Sequence, residues 1–428
     1  MKIQVIDAIM GAGKTTYILN KINAEHQEWI SSLFSNPKDK PKYLYVTPTL
    51  DEVSRVQKQC AIAEFKEPEA RTHGSKYYDF KKLVEEGTNI VTTHSLFRLL
   101  SKDTYELIKE QGYTLVIDEA LDCVDLFTGL TKADREMLLD SGMIYVQPDT
   151  HRLCWNEDDH ADYTGKFERI QTLCRNGNLV YFQNTTLLWE FPVEFIGLFK
   201  EVYVLTYLFH GSAMANYLAA NGVGFVIQSV QNGELTSWTG CSEKAIKDKL
   251  RGLITIYEGR SNKIGDKQPK SNPLSSSWYD RMNKTGDGLK PLKNGLEMFF
   301  NKYAKSPSCS NAWTTFKEYR SSLAGKGYSK GFLPNNLRAT NDYIDKTTAA
   351  YTCNTFYHPI IRNYFVDRGV VVYEDIYALS EMLQWLWRFQ IRRYDPVTLY
   401  IPSQRMRELL KAWLETDDVT DLFYRLGY

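Results

Sequence analysis

Two short stretches carry residue types that together could handle a nucleoside triphosphate. In DAIMGAGKTTYILNK, residues 7–21, Gly11, Ala12, Gly13, Lys14, Thr15 and Thr16 run consecutively. A phosphate cradle needs successive backbone N–H groups turned into one concavity, and glycine lets the chain take that shape without obstruction. Lys14 would neutralise the β- and γ-phosphates, and the Thr15 hydroxyl would ligate Mg²⁺. The commonest form of the signature, GxxxxGK[ST], opens on glycine where this chain has Ala8. A small residue serves there if its backbone stays in an ordinary region, so the site reads as altered and not broken. The second stretch, LVIDEAL at 115–121, ends an apolar run in two carboxylates. Asp118 is expected on the magnesium shell, through water, and Glu119 as the group that polarises an attacking water, which a hydrolase needs.

Both stretches must be held by a scaffold, and the surrounding sequence describes one. IQVI precedes the glycines and a helix from about Lys14 follows them, its positive N-terminal end facing the anion. YLYV at 43–46, NIVT at 89–92, TLVI at 114–117 and VYVLTYL at 202–208 are further apolar runs separated by helical stretches. Such alternation predicts a parallel sheet covered on both faces, with functional loops at the carboxyl ends of its strands. Residues 122–200, including NEDDH at 156–160, break this rhythm and read as an insertion with no assignable chemistry. A second β-rich set follows at 222–229, 253–257, 370–373 (VVVY) and 397–402. Residues 259–293, with eight Lys/Arg against three Asp, are expected to form a mobile basic loop.

A chain of 428 residues fits two domains, and 43% apolar residues suffice for packed cores. With 52 basic and 52 acidic residues, net charge steers the chain toward no polyanion, so any such site must be local. Seven scattered cysteines without a CxxC pair speak for a reducing cytoplasm, and His151, Cys154 and His160 match no standard zinc spacing. No signal peptide is visible and no apolar run approaches the ~20 residues of a membrane span. The expectation is a soluble cytoplasmic protein, in host cytoplasm if viral, without membrane contact.

The motifs resemble those of the superfamily 2 helicases and translocases. There the phosphate loop often reads AxxGxGKT, as from Ala8 to Thr15, and the magnesium motif DEAD or DEAH, as from Asp118 to Leu121. LSSSWY, AGKGYSKGF, LRATNDY and YALSEMLQWLWR resemble stretches of phage-encoded members. The resemblance implies an α/β fold of two RecA-like P-loop domains with parallel sheets and an ATP cleft between them. The first would span 1–210, with the insertion at about 122–200, and the second 211–428. It implies ATP and Mg²⁺ as cofactors and a nucleic acid, expected to be DNA, as partner. Thr47, Pro48 and Thr49, then Thr92, Thr93, His94 and Ser95, match motifs that contact nucleic-acid phosphates, and Thr206 a motif that couples them to ATP. Arg338 and Asn341 of LRATNDY are candidates for a further contact. Lys326, Lys330, Trp278 and Trp313 could add backbone and stacking contacts.

The family pattern QxxGRxxR is met by Gln384 and Arg388, with Trp387 in place of glycine and the second arginine one residue late, at Arg392 with Arg393 beside it. On a continuous helix Leu379, Met382, Leu383, Leu386 and Trp387 would share one face and Gln384, Arg388 and Arg392 the other, offering an amide and guanidinium groups to the γ-phosphate. The function implied is an ATP-dependent helicase or translocase acting on DNA in phage replication or recombination. The rivals are an ATP-dependent DNA clamp or loader that does not unwind, and a DNA-packaging motor; a small-molecule kinase is more distant.

Overall fold

The computed structural model describes residues 3–32, 36–70, 74–335 and 342–428. The chain divides into two compact units, one of residues up to Ile6, Thr15–Val226 and His358–Val372, the other of Asp7–Lys14, Ile227–Tyr357 and Tyr373–Tyr428. The first unit is thus left after Val226 and re-entered at His358.

In the first unit, strands β1 (Ile3–Asp7), β2 (Tyr43–Thr47), β3 (Ile90–Thr93) and β4 (Thr114–Asp118) arise from the apolar runs predicted to be strands. Almost every residue in them is buried, the signature of a sheet covered on both faces. The segment after β4 folds as a separate layer. Strands β5 (Val124–Leu126), β8 (Leu179–Phe182) and β9 (Thr186–Glu190) form an antiparallel sheet in the order β5-β9-β8, and β6 (Ile144–Val146) pairs with β7 (Leu153–Trp155). This layer has its own core around Leu138, Ile144, Leu153, Trp155 and Leu179. The chain then returns through β10 (Glu201–Thr206), which lies parallel to β4 with Leu205 opposite Asp118. Within the first unit the sheet order is β1-β10-β4-β2-β3, and the chain then forms an antiparallel pair, β11 (Phe225–Gln231) with β12 (Glu234–Ser237).

A buried polar network fixes the near end of β3. Asn89 accepts the Tyr43 N–H at 2.8 Å through Oδ1, and its amide donates to the Ala63 carbonyl and, at 2.9 Å, to His26 Nε2. His26 Nδ1 lies 2.8 Å from the Ile22 carbonyl, so Nδ1 carries the proton and the ring is neutral. At the other end of the chain order, helix Pro359–Val366 places the Tyr364 hydroxyl on the buried Glu190 carboxylate, which Arg152 also meets at 3.0 Å. The Arg368 guanidinium lies 3.6 Å from the Tyr364 ring centre, and Gln183 donates to Asp367 at 2.9 Å.

The second unit holds a four-stranded parallel sheet, β13 (Ile254–Ile256), β14 (Asn311–Thr314), β15 (Thr348–Tyr351) and β16 (Val397–Tyr400), in the order β13-β16-β15-β14. VVVY at 370–373 is not a strand; it is a coil connector before helix Glu374–Leu386, with Val371 exposed and the other three half-buried. Residues 259–293 are not a mobile loop either. They fold into a short turn at Arg260–Gly265 and helices Ser276–Asn283 and Lys290–Met298, because Leu274, Trp278, Leu292 and Leu296 are buried in an aromatic core with Phe299, Tyr328 and Tyr400. Trp313 is fully buried in β14 and Trp278 nearly so, which removes both as stacking surfaces for bases.

Candidate nucleotide site

The loop after β1 has the backbone its sequence demands. Gly11 and Gly13 take φ of 85° and 94°, a left-handed region that a side chain would strain, and a Cβ built on Gly13 meets nothing within 4 Å. Ala8 keeps an ordinary φ and is buried, so alanine satisfies the loop entrance. The Ala12 N–H closes a turn onto the Ile9 carbonyl at 3.1 Å. Lys14 donates to the carbonyls of Ala8 and, at 3.3 Å, Ile9. It opens helix Lys14–Ser31, whose first turn also carries Thr15 and the exposed Thr16.

The Thr15 hydroxyl lies 3.4 Å from Asp118 Oδ2, so residues 103 positions apart meet where the first turn of a helix faces the end of β4. Two further groups hold that oxygen: the Tyr45 hydroxyl at 3.1 Å and Arg55 at 3.5 Å, the latter also paired with Glu52. His94 Nε2 lies 2.9 Å from the Asp118 carbonyl. Burial and the neighbouring Glu119 charge push the Asp118 carboxyl up to about 6, against the opposing pull of Arg55. Glu119 sits at φ 65°, where few residues other than glycine go, and donates its N–H to the Leu205 carbonyl at 2.9 Å. The kink ends the strand and separates the Glu119 side chain from the line of β4. Thr15 and Asp118 are hard oxygen donors at hydrogen-bonding distance, a pair that fits Mg²⁺ completed by water and phosphate oxygens. Among the described residues no group of three or more His, Cys, Asp or Glu forms a metal cage.

The remaining candidates are placed unevenly. Thr47 is fully buried and donates its hydroxyl to the Thr49 carbonyl at 2.8 Å, which leaves Pro48 and Thr49 as the accessible part of that motif. Thr92 is buried, Thr93 caps the next helical turn by accepting the Leu96 N–H, and the His94 ring turns to β4, so only Ser95 of that motif is exposed. Thr206 is buried at the end of β10. Lys326 and Lys330 are exposed. Arg338 and Asn341 lie outside the described residues. The helical face expected to unite Gln384, Arg388 and Arg392 does not exist, because the helix stops at Leu386. Gln384 is half-buried on its last turn, Arg388 is buried in the turn beyond, and Phe389 is extended. Arg392 is exposed in the short segment Gln390–Arg393, and Arg393 pairs with Asp345 at 3.1 Å. Missed in the sequence were Tyr45 and Arg55, whose only local signals are a polar tip inside YLYV and a basic residue five places after Leu50.

Comparison with known proteins places this geometry in a lineage. The SPbeta prophage-derived protein YonV of Bacillus subtilis (strain 168) is 37% identical over 97% of this chain and 99% of its own. The chain belongs to the YonV family. The model of the YonV middle domain matches residues 127–189, which is the separate layer after β4, and that of the YonV C-terminal Rossmann-like domain matches 248–414, which contains the second parallel sheet. The YonV-family chain is also similar to a solved structure titled S. tokodaii Xpd4, with 11% identity, coverage of 96% of this chain and 94% of that one, and a TM-score of 0.42. A likeness that weak carries no argument about activity. No helix among the described residues is long and apolar enough to cross a membrane.

Proposed function

We propose that this YonV-family protein is an ATP-dependent nucleic-acid helicase or translocase, built on two RecA-like domains and acting on DNA in the life cycle of a phage or prophage. The observation that carries the nucleotide half of this reading is the meeting of Thr15 and Asp118 at 3.4 Å beside a loop with two left-handed glycines. In this reading the N–H groups of residues 11–16 cradle the phosphates, and Lys14 leaves the Ala8 and Ile9 carbonyls to meet the β- and γ-phosphates. Thr15 and Asp118 hold Mg²⁺, which when bound neutralises charge on the transferring phosphoryl group. Glu119 accepts a proton from the attacking water. Gln384, Arg388 and Arg392 are the second unit's candidates for contact with the γ-phosphate. Pro48, Thr49 and Ser95 are candidates for backbone contacts to a nucleic-acid strand, which position it without reading its bases. The prophage origin of the relative supports the biological setting.

The test is hydrolysis with and without single-stranded DNA, duplex DNA and RNA. The intact chain should hydrolyse ATP faster with nucleic acid, and Lys14→Ala should abolish turnover. Normal turnover in that variant would remove the site assignment. Stimulated hydrolysis with no duplex opening on any substrate would make the protein a clamp or loader.

A further inference from the structure

The layer formed by residues 124–190 bears a groove that neither the nucleotide site nor the family models assign. Its volume is ≈ 700 Å³. Its floor is the face on which Asp125 of β5 and Trp189 of β9 lie directly opposite one another. One wall is Ser95, Arg98 and Leu99, immediately after the β3 motif, and the other is helix Glu168–Arg175 with Arg169. The Arg98 guanidinium lies 4.0 Å from the Trp189 ring centre and is 3.7 Å from the Asp125 carboxylate. Leu99 is 67% exposed, an unusual state for a large apolar side chain. Arg169 is exposed and has no ion pair or hydrogen bond among the described residues.

We infer that this groove binds a segment of single-stranded nucleic acid, so that the middle layer carries the strand onward from Ser95. The inference rests on the proposed function for the presence of a strand at Ser95, and on the groove itself for its path. Two arginines against one aspartate give the groove a positive balance that a phosphate backbone complements. The planar Arg98 guanidinium, backed by the Trp189 indole and in the same groove as an exposed leucine, presents the cationic and apolar surface on which a base stacks without sequence preference.

The experiment measures binding of a fluorescent poly-dT oligonucleotide to the full chain by anisotropy across a salt series, with binding of a fluorescent ATP analogue measured on the same samples. Arg169→Ala and Arg98→Gln should each weaken oligonucleotide binding and lower the log–log salt slope by about 0.7. Trp189→Leu, which removes the plane that backs Arg98, should weaken it by up to about 5- to 150-fold, the loss expected of one stacked base. A 5-bromouracil oligonucleotide should photo-crosslink within residues 95–99 or 169–189. Arg169 is exposed, so its variant keeps the test valid if Trp189→Leu melts early. Intact ATP-analogue binding with oligonucleotide affinity indifferent to both arginine variants would overturn the groove and leave the nucleotide site standing. So would crosslinks confined elsewhere, or a groove that captures only a protein. Loss of ATP-analogue binding in the unaltered chain would instead overturn the nucleotide site.

Discussion

Asp118→Asn should make the protein more stable at neutral pH while ending its hydrolysis. The carboxyl is buried in the sheet, and burial with the Glu119 charge raises it to about 6, against about 3.9 in an unfolded chain. One pKa unit corresponds to ~1.36 kcal/mol, so holding Asp118 ionised at pH 7.5 costs on the order of 3 kcal/mol. Asparagine removes that charge and can still accept the hydroxyls of Tyr45 and Thr15. Its lost ion pair with Arg55 is already contained in that figure, because the pull of Arg55 lowers the same carboxyl. The expected net gain is roughly 1–3 kcal/mol, or some 2–10 °C for a unit of this size. Its pH dependence is the diagnostic. Because the folded pKa is raised above the unfolded value, the wild-type carboxyl destabilises nothing below about pH 4, and the stability it leaves intact there is lost as pH rises through 6. Urea unfolding in EDTA, followed by far-UV circular dichroism at pH 4.5, 5.5, 6.5 and 7.5, should show a gap between variant and wild type that opens across this window and then levels. A variant less stable at pH 7.5, or a gap independent of pH, would refute the argument that Asp118 is held against its electrostatic preference.

Lys14→Ala tests the phosphate site as described above. Glu119→Gln should retain ATP binding, seen by fluorescent-analogue titration, and slow hydrolysis by about 10²–10⁴-fold; lost binding would contradict its role as base. Arg388→Ala should lower the hydrolysis rate by about 10³-fold or more with the circular dichroism spectrum retained, and an unchanged rate would leave that guanidinium structural. His26 is held neutral by burial, which lowers its pKa below the usual histidine value. The stability it contributes is therefore present above about pH 6.5 and lost as pH falls. His26→Gln should flatten that acidic limb in denaturant titrations, whereas an unaltered limb would show that burial of His26 does not set it.

What could be read from sequence was what the backbone does locally. The two glycines, Lys14 and Thr15 are one short segment, and their geometry follows from conformational freedom and a strand-to-helix junction that neighbouring residues define. Strands β1, β2 and β4 were equally plain, because each is a mostly apolar run that ends in a polar residue. The four-residue strands NAWT and TAAY were not recognised: they are too short to show a period, and their burial comes from helices far along the chain. VVVY carries strong strand propensity and is nevertheless coil, with Tyr373 turned to the Phe423 and Tyr428 rings instead of into a sheet. The partners of Asp118 are long-range, and nothing near Tyr45 or Arg55 announces a carboxylate. The helical wheel for Arg388 failed because it assumed a helix that Trp387 and Phe389 bring to an end.

The late helix Pro359–Val366 also has a bearing on how the protein is made. Its tyrosine closes over Glu190 only after about 150 further residues have left the ribosome beyond Val226, which at 5–20 residues per second is roughly 7–30 s. During that interval the nascent chain holds a carboxylate and an aromatic face that await their cover. Truncations ending before residue 372 should therefore aggregate or recruit chaperones, and an expression trial of the N-terminal half alone should not be taken as a measure of that half's intrinsic foldability.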